Sequence, residues 1–147
     1  MGLFEGIRKT KFALNVELDT QHSLMILVLG SVYSDNWESK EEMLVVHQMM
    51  CKSPIFKDSD DANDTLILKQ CKSFMDNNDD ALDQACAYLP PPLKETAFAM
   101  AVEVVFADGV IDPKEAEFID TLSKQLSIGK TKAKSIIQTF DILYRDK

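Results

Sequence analysis

Apolar positions recur at a helical period along nearly the whole chain, and turn chemistry cuts them into separate blocks. Leu24, Leu27, Val28, Ser31 and Val32 share one face of a helix that Asp19 or Thr20 starts and that ends near Ser34-Asp35. A second helix begins after Ser39, carries Met43, Val46, Met49 and Met50 on one face, and stops before Pro54. Asp58 to Asp64 reads as a polar loop, with Asn63 or Asp64 capping a helix through Leu66, Leu68, Cys71 and Met75. Asn77-Asn78-Asp79 turns the chain before a short helix from Ala81 to Leu89. Pro90-Pro91-Pro92 ends that helix and opens the next, Leu93 to Phe106, because proline suits a first turn and no later one. Pro113 to Leu126 and Thr131 to Tyr144 follow, with Gly129 as the last hinge. No segment alternates with hairpin turn chemistry. The pattern predicts an all-α fold, a compact bundle of about seven helices. It is expected to be a single domain over residues 1–147, with 1–18 as an N-terminal extension.

The densest local signal is the corner Phe106-Ala107-Asp108-Gly109-Val110-Ile111-Asp112-Pro113-Lys114-Glu115. Gly109 suits the left-handed conformation that closes a helix. Asp112 is placed as N-cap of the next helix, Pro113 at its first position, and Glu115 reaches back as a capping box. Asp108, Asp112 and Glu115 therefore crowd one tight turn, which is either a corner joint or an oxygen-rich binding site.

The corner has an echo. Tyr33 to Glu42 lies over Phe106 to Glu115 without a gap, at an offset of 108 − 35 = 73 residues. Asp35 falls on Asp108, Asn36 on Gly109, Ser39 on Asp112 and Glu42 on Glu115. Each half reads as helix, Asp-turn, capping box, helix, so two pseudo-repeated halves are expected to face their corners to each other.

Ala107 to Glu115, followed by Phe118-Ile119 and Leu122, resembles the signature of the TerB-like (tellurite-resistance) family, with Asp35 to Glu42 similar to its degenerate first copy. The resemblance spans roughly residues 20 to 144 and is tightest at the second corner. It implies a bundle of about seven helices from bacterial stress-response and tellurite-resistance operons, not an established enzyme. It also implies a divalent-metal site, carried by position onto Asp108, Asp112 and Glu115 with Asp35 and Glu42. Ser39 stands where the first half should carry an acid, and Asn36-Trp37 departs from Asp-Gly. Carboxylates without neighbouring Cys or His favour Ca²⁺ or Mg²⁺ over Zn²⁺. The opposing account is that Asp112 and Glu115 are fully occupied as caps, on a turn where acids already suit the helix dipole.

Composition narrows the partners. The 147 residues hold 24 acidic against 16 basic side chains, a net charge of −8 that repels phosphate backbones and disfavours nucleic acid. The apolar run Leu24 to Leu29 is too short to span a bilayer. Met1-Gly2 suits a myristoylation start, but Gly6 stands where Ser or Thr is wanted. Cys51, Cys71 and Cys86 are dispersed, without a CxxC pair, and read as buried structural thiols of a reduced, cytoplasmic chain.

Other candidates are weaker. His22 and His47 are read as surface or helix-edge residues, and no Ser, Cys and His stand at the spacing of a nucleophile and base. Asp58, Asp60, Asp61 and Asp64 lack calcium-loop alternation, with Lys69 where the closing Glu belongs, and read as a solvated acidic loop. Trp37 reads as a plug on the end of the bundle, and Met43, Met49 and Met50 as core filler. The expectation is a non-enzymatic stress-response module with a protein partner, acting as monomer or weak homodimer. The alternative is a metal-free interaction scaffold with an acidic surface; an enzyme using a carboxylate-held metal ranks well behind both.

Overall fold

The computed structural model describes residues 18–34, 40–56, 60–107, 109 and 111–145. Among them are seven α-helices and no strand: α1 Thr20–Tyr33, α2 Lys40–Lys52, α3 Asp61–Asn77, α4 Ala81–Tyr88, α5 Pro91–Phe106, α6 Pro113–Gln125 and α7 Lys130–Leu143. A single 3₁₀ turn, Pro54–Phe56, follows α2 and buries Phe56. No helix among the described residues is long and apolar enough to cross a membrane.

The organising element is α1. Asp19 starts it by accepting the His22 backbone N–H at 2.8 Å. Every residue from Ser23 to Val32 is buried, which corrects the expectation of a single apolar face. A helix that is apolar all round belongs inside a protein; α5, α4 and α3 enclose this one, and α5 makes the broadest contact. Gly30 allows the tightest approach: a Cβ there would stand 2.7 Å from the Phe118 ring of α6 and 3.0 Å from Leu82 of α4. The His22 ring bridges Asp19 (2.8 Å) and Gln70 (2.7 Å), and the Cys71 thiol donates to the His22 carbonyl at 3.4 Å, so α3 is tied along the start of α1.

Several boundaries differ from the expectation. The polar loop before α3 is shorter: Asp60 is the cap, accepting the Asn63 N–H at 2.8 Å, while Asp61 and Asp64 lie in the helix and Asp64 is buried. An aspartate one turn earlier than Asn63 or Asp64 takes the cap because it adds another turn of helix at no cost in sterics. Asp58 lies outside the described residues. Helix α5 begins at Pro91, since two prolines fit a first turn that has no use for their missing N–H groups. Gly129 stands in the last turn as expected, as the N-cap of α7, while the left-handed residue of that turn is Ser127, the only non-glycine residue with positive φ among those described (57°). Ser127 N–H reaches Lys124 O at 3.1 Å and Ile128 N–H reaches Ser123 O at 2.9 Å, the paired bonds of a Schellman ending for α6.

The last helix is peripheral. Ala133 is its sole buried residue, while Ile136, Ile137 and Phe140 pack partly buried against the core. The Tyr144 hydroxyl donates to Glu103 of α5 at 2.7 Å, and Lys132 pairs with Glu95 at 3.7 Å. Of the thiols, Cys71 and Cys86 are buried as expected, but Cys51 is exposed on the outer face of α2. Burial pushes Cys71 up to about 12, with Asp19 adding to it.

Candidate functional site: the acidic corners

The second corner folds as its residues dictate. Gly109 takes φ 80° and donates its N–H to Phe106 O at 3.1 Å, closing α5. Asp112 then opens α6: its Oδ1 accepts the Lys114 N–H at 2.7 Å, and Glu115 Oε1 accepts the Asp112 N–H at 3.0 Å. The reciprocal capping box is complete, with Pro113 at its first position. Glu115 is only 2% exposed, so a carboxylate is held inside the first turn of α6.

Of the first-half candidates, Glu42 sits in the first turn of α2 and is 1% exposed, matching the burial of Glu115 at the position that the offset of 73 (115 − 42) pairs with it. Asp35 and Asp108 lie outside the described residues, as do Asn36, Trp37 and Ser39. Ser34, immediately before Asp35, shares a depression of about 390 Å³ with Lys114, Glu117, Phe118 and Thr121. The end of α1 and the start of α6 are thus neighbours in space, brought together by the Gly30–Phe118 approach one turn earlier. Among the described residues, no group of three or more His, Cys, Asp or Glu side chains gathers at metal-ligating distance.

The histidines take no part in this site: His22 is a tie between helices and His47 is exposed on α2. Met49 and Met50 are core residues, and Met43 packs partly buried beside them.

A second concavity escaped the sequence pattern altogether. A cleft of about 580 Å³ lies between α6 and α7, floored by Phe98, Ile119, Ile128 and Ile137 and bordered by Lys124, Lys130 and Lys134. A signal for it did exist. From Thr121 to Phe140 the chain has four lysines and no acid, against the grain of a molecule with net charge −8.

No protein-family model, curated protein or solved structure matches this chain.

Proposed function

We propose that this chain is a non-enzymatic helical module of the tellurite-resistance type in a bacterial stress response. On this reading its two acidic corners together hold a hard divalent cation, Ca²⁺ or Mg²⁺, through Asp35, Glu42, Asp108, Asp112 and Glu115. The observation that carries the reading is the closeness of the end of α1 to the start of α6, with Ser34 and Lys114 lining one depression. The matched placement of Glu42 and Glu115, each buried in a first turn, supports it by giving both corners a carboxylate at the same position. The donor chemistry fits in kind, being all oxygen. Two of those oxygens, Asp112 Oδ1 and Glu115 Oε1, already accept backbone N–H groups, and capping alone explains these two.

Calorimetric titration of chelator-stripped protein with Ca²⁺ and then Mg²⁺ tests the cation reading. Saturable heat that disappears in Asp108→Asn/Glu115→Gln is the expected result. Absence of heat in the parent chain would reduce both corners to helix capping.

A second reading, a metal-free scaffold, is favoured by one specific observation. Between Asp60 and Asp83 the surface of α3 and α4 exposes Asp60, Asp61, Asp76, Asp79, Asp80 and Asp83. The only basic residues in that stretch are Lys69 and Lys72. Such an acidic surface suits a basic partner, with attraction that weakens as salt rises.

A further inference from the structure

We propose that the cleft between α6 and α7 binds a single-chain anionic amphiphile, an alkyl chain ending in a carboxylate, with its head at the lysines and its tail running toward Ile111. The inference is independent of the acidic corners.

The shape comes first. The cleft of about 580 Å³ meets a smaller cavity of about 120 Å³, and Ala116, Ile119 and Ile137 line both. Beyond that junction the wall consists of Val102, Val105, Phe106 and Ile111, and among the described residues no polar side chain lines it. From Lys124 to Ala116 the groove follows eight residues of α6, about 12 Å at the rise of an α-helix. A hollow with a charged border therefore adjoins an apolar one across the shared walls of Ala116, Ile119 and Ile137. Its size falls in the range of small-molecule sites, roughly 300–1,000 Å³, and it is largely apolar with a few convergent polar groups.

Charge then selects the head group. Lys124, Lys130 and Lys134 line the wide end with Ser123, and among the described residues Asp120 is the single carboxylate there. Asp120 pairs with Lys124 at 3.4 Å, but both side chains are more than two-thirds exposed, at 71% and 78%. A pair so exposed contributes little and exchanges readily for another carboxylate. No described carboxylate lies within ion-pair distance of Lys130 or Lys134. The position of these lysines is also unfavourable for the helix that carries them. They occupy the first turns of α7, where cations oppose the helix dipole, and Gly129 supplies no side-chain cap. Helix stability does not account for a basic cluster here, whereas an anionic head group does. A cationic or neutral amphiphile would gain the tail contacts but not the head contacts.

The test uses the whole chain, titrated with dodecanoate below its micellar concentration and followed by calorimetry and by amide chemical shifts. Dodecyltrimethylammonium supplies the same tail with the opposite charge, and acetate the head without the tail. Two surface variants, where the fold tolerates change, probe the head and the junction: Lys130→Gln/Lys134→Gln at the head, and Ala116→Phe, which narrows the passage between the two hollows. Saturable binding of one dodecanoate per chain is expected, with shifts confined to α6, α7 and the end of α5. The lysine variant should weaken it about tenfold or more, as loss of charge-assisted contacts implies, and Ala116→Phe should do the same without moving the melting temperature. Equal affinity for dodecyltrimethylammonium, binding unchanged in both variants, or non-saturable uptake with loss of the native spectrum would each overturn the proposal. So would an acidic amphipathic peptide that binds the same face more tightly than dodecanoate.

Discussion

Helices α1 and α7 are each 14 residues long, yet they obey opposite rules. Ten consecutive residues of α1, Ser23 to Val32, are buried; in α7 only Ala133 is. Helix α1 gains its stability from neighbours on every side, while α7 holds on through one stripe, a tyrosine hydrogen bond and a surface ion pair. The lesson is about dispensability. A helix enclosed by others tolerates no change of volume, whereas a peripheral helix is free to carry residues that work against its own stability, as the lysines at the start of α7 do.

The contrast breaks first on core truncation. Leu27→Ala, at the centre of α1, should cost about 3–5 kcal/mol, near the upper end of measured leucine truncations, because enclosing helices cannot all relax into the space. Leu143→Ala, 67% exposed on α7, should stay within about 0.5 kcal/mol. Denaturant midpoints for the two variants decide the matter, and comparable losses would show that α7 is as integral as α1.

Next in size is Gly30. Gly30→Val should destabilise by about 1–3 kcal/mol, since Phe118 and Leu82 must both give way to a branched side chain. A double-mutant cycle with Phe118→Ala sharpens this: the Gly30 penalty should shrink once the ring is gone. An undiminished penalty would mean that the Phe118 contact is not what forces glycine at this position.

The two regions also part at high pH. Burial and then Asp19 raise Cys71 from 9.0 to about 12, and burial with the Glu103 hydrogen bond raises Tyr144 from 10.0 to about 12. In both cases the folded state favours the neutral form. The stabilisation is complete below the ordinary value and is lost as pH climbs through about 9 to 12 for Cys71 and about 10 to 12 for Tyr144. Tyr144→Phe should flatten the upper part of that loss, measured as melting temperature against pH, while leaving α1 amide protection unchanged. At pH 8 only the exposed Cys51 should react promptly with a thiol reagent, while Cys71 and Cys86, the latter raised to about 11 chiefly by burial, wait for opening of the fold. Prompt labelling of Cys71 as well would place the α1–α3 seam among the loosely held regions.

The smallest expected effect is a gain. Ser127→Gly should stabilise by a few tenths to about 1 kcal/mol, because serine holds φ 57° where glycine adopts it without steric penalty. A loss would indicate that the side chain, not the backbone, sets this ending of α6.

The local parts of the molecule were legible residue by residue. Asp19 as a cap, Pro113 at a first turn, the Asp112–Glu115 box and Gly109 in the left-handed region all follow from chemistry within a few neighbours, and the structure shows each of them. A misreading arises where local choices compete, as between Asp60 and Asn63 or Asp64 for one cap, and the left-handed Ser127 beside Gly129 has no local signal. The candidate site was legible only in part. The burial of Glu42 and Glu115 has no sequence signature, since a glutamate in a first turn looks the same whether solvent or a neighbouring helix covers it.

What the sequence determined by itself is therefore the set of helices and the chemistry of their ends, because hydrogen bonds of caps and turns close within about four residues. The tertiary structure decided which helix is enclosed, which carboxylates are withdrawn from water and where an apolar hollow meets a row of lysines. Those outcomes depend on volumes and charges contributed by residues far apart in the chain, as when Phe118 settles against Gly30, and no local pattern encodes them.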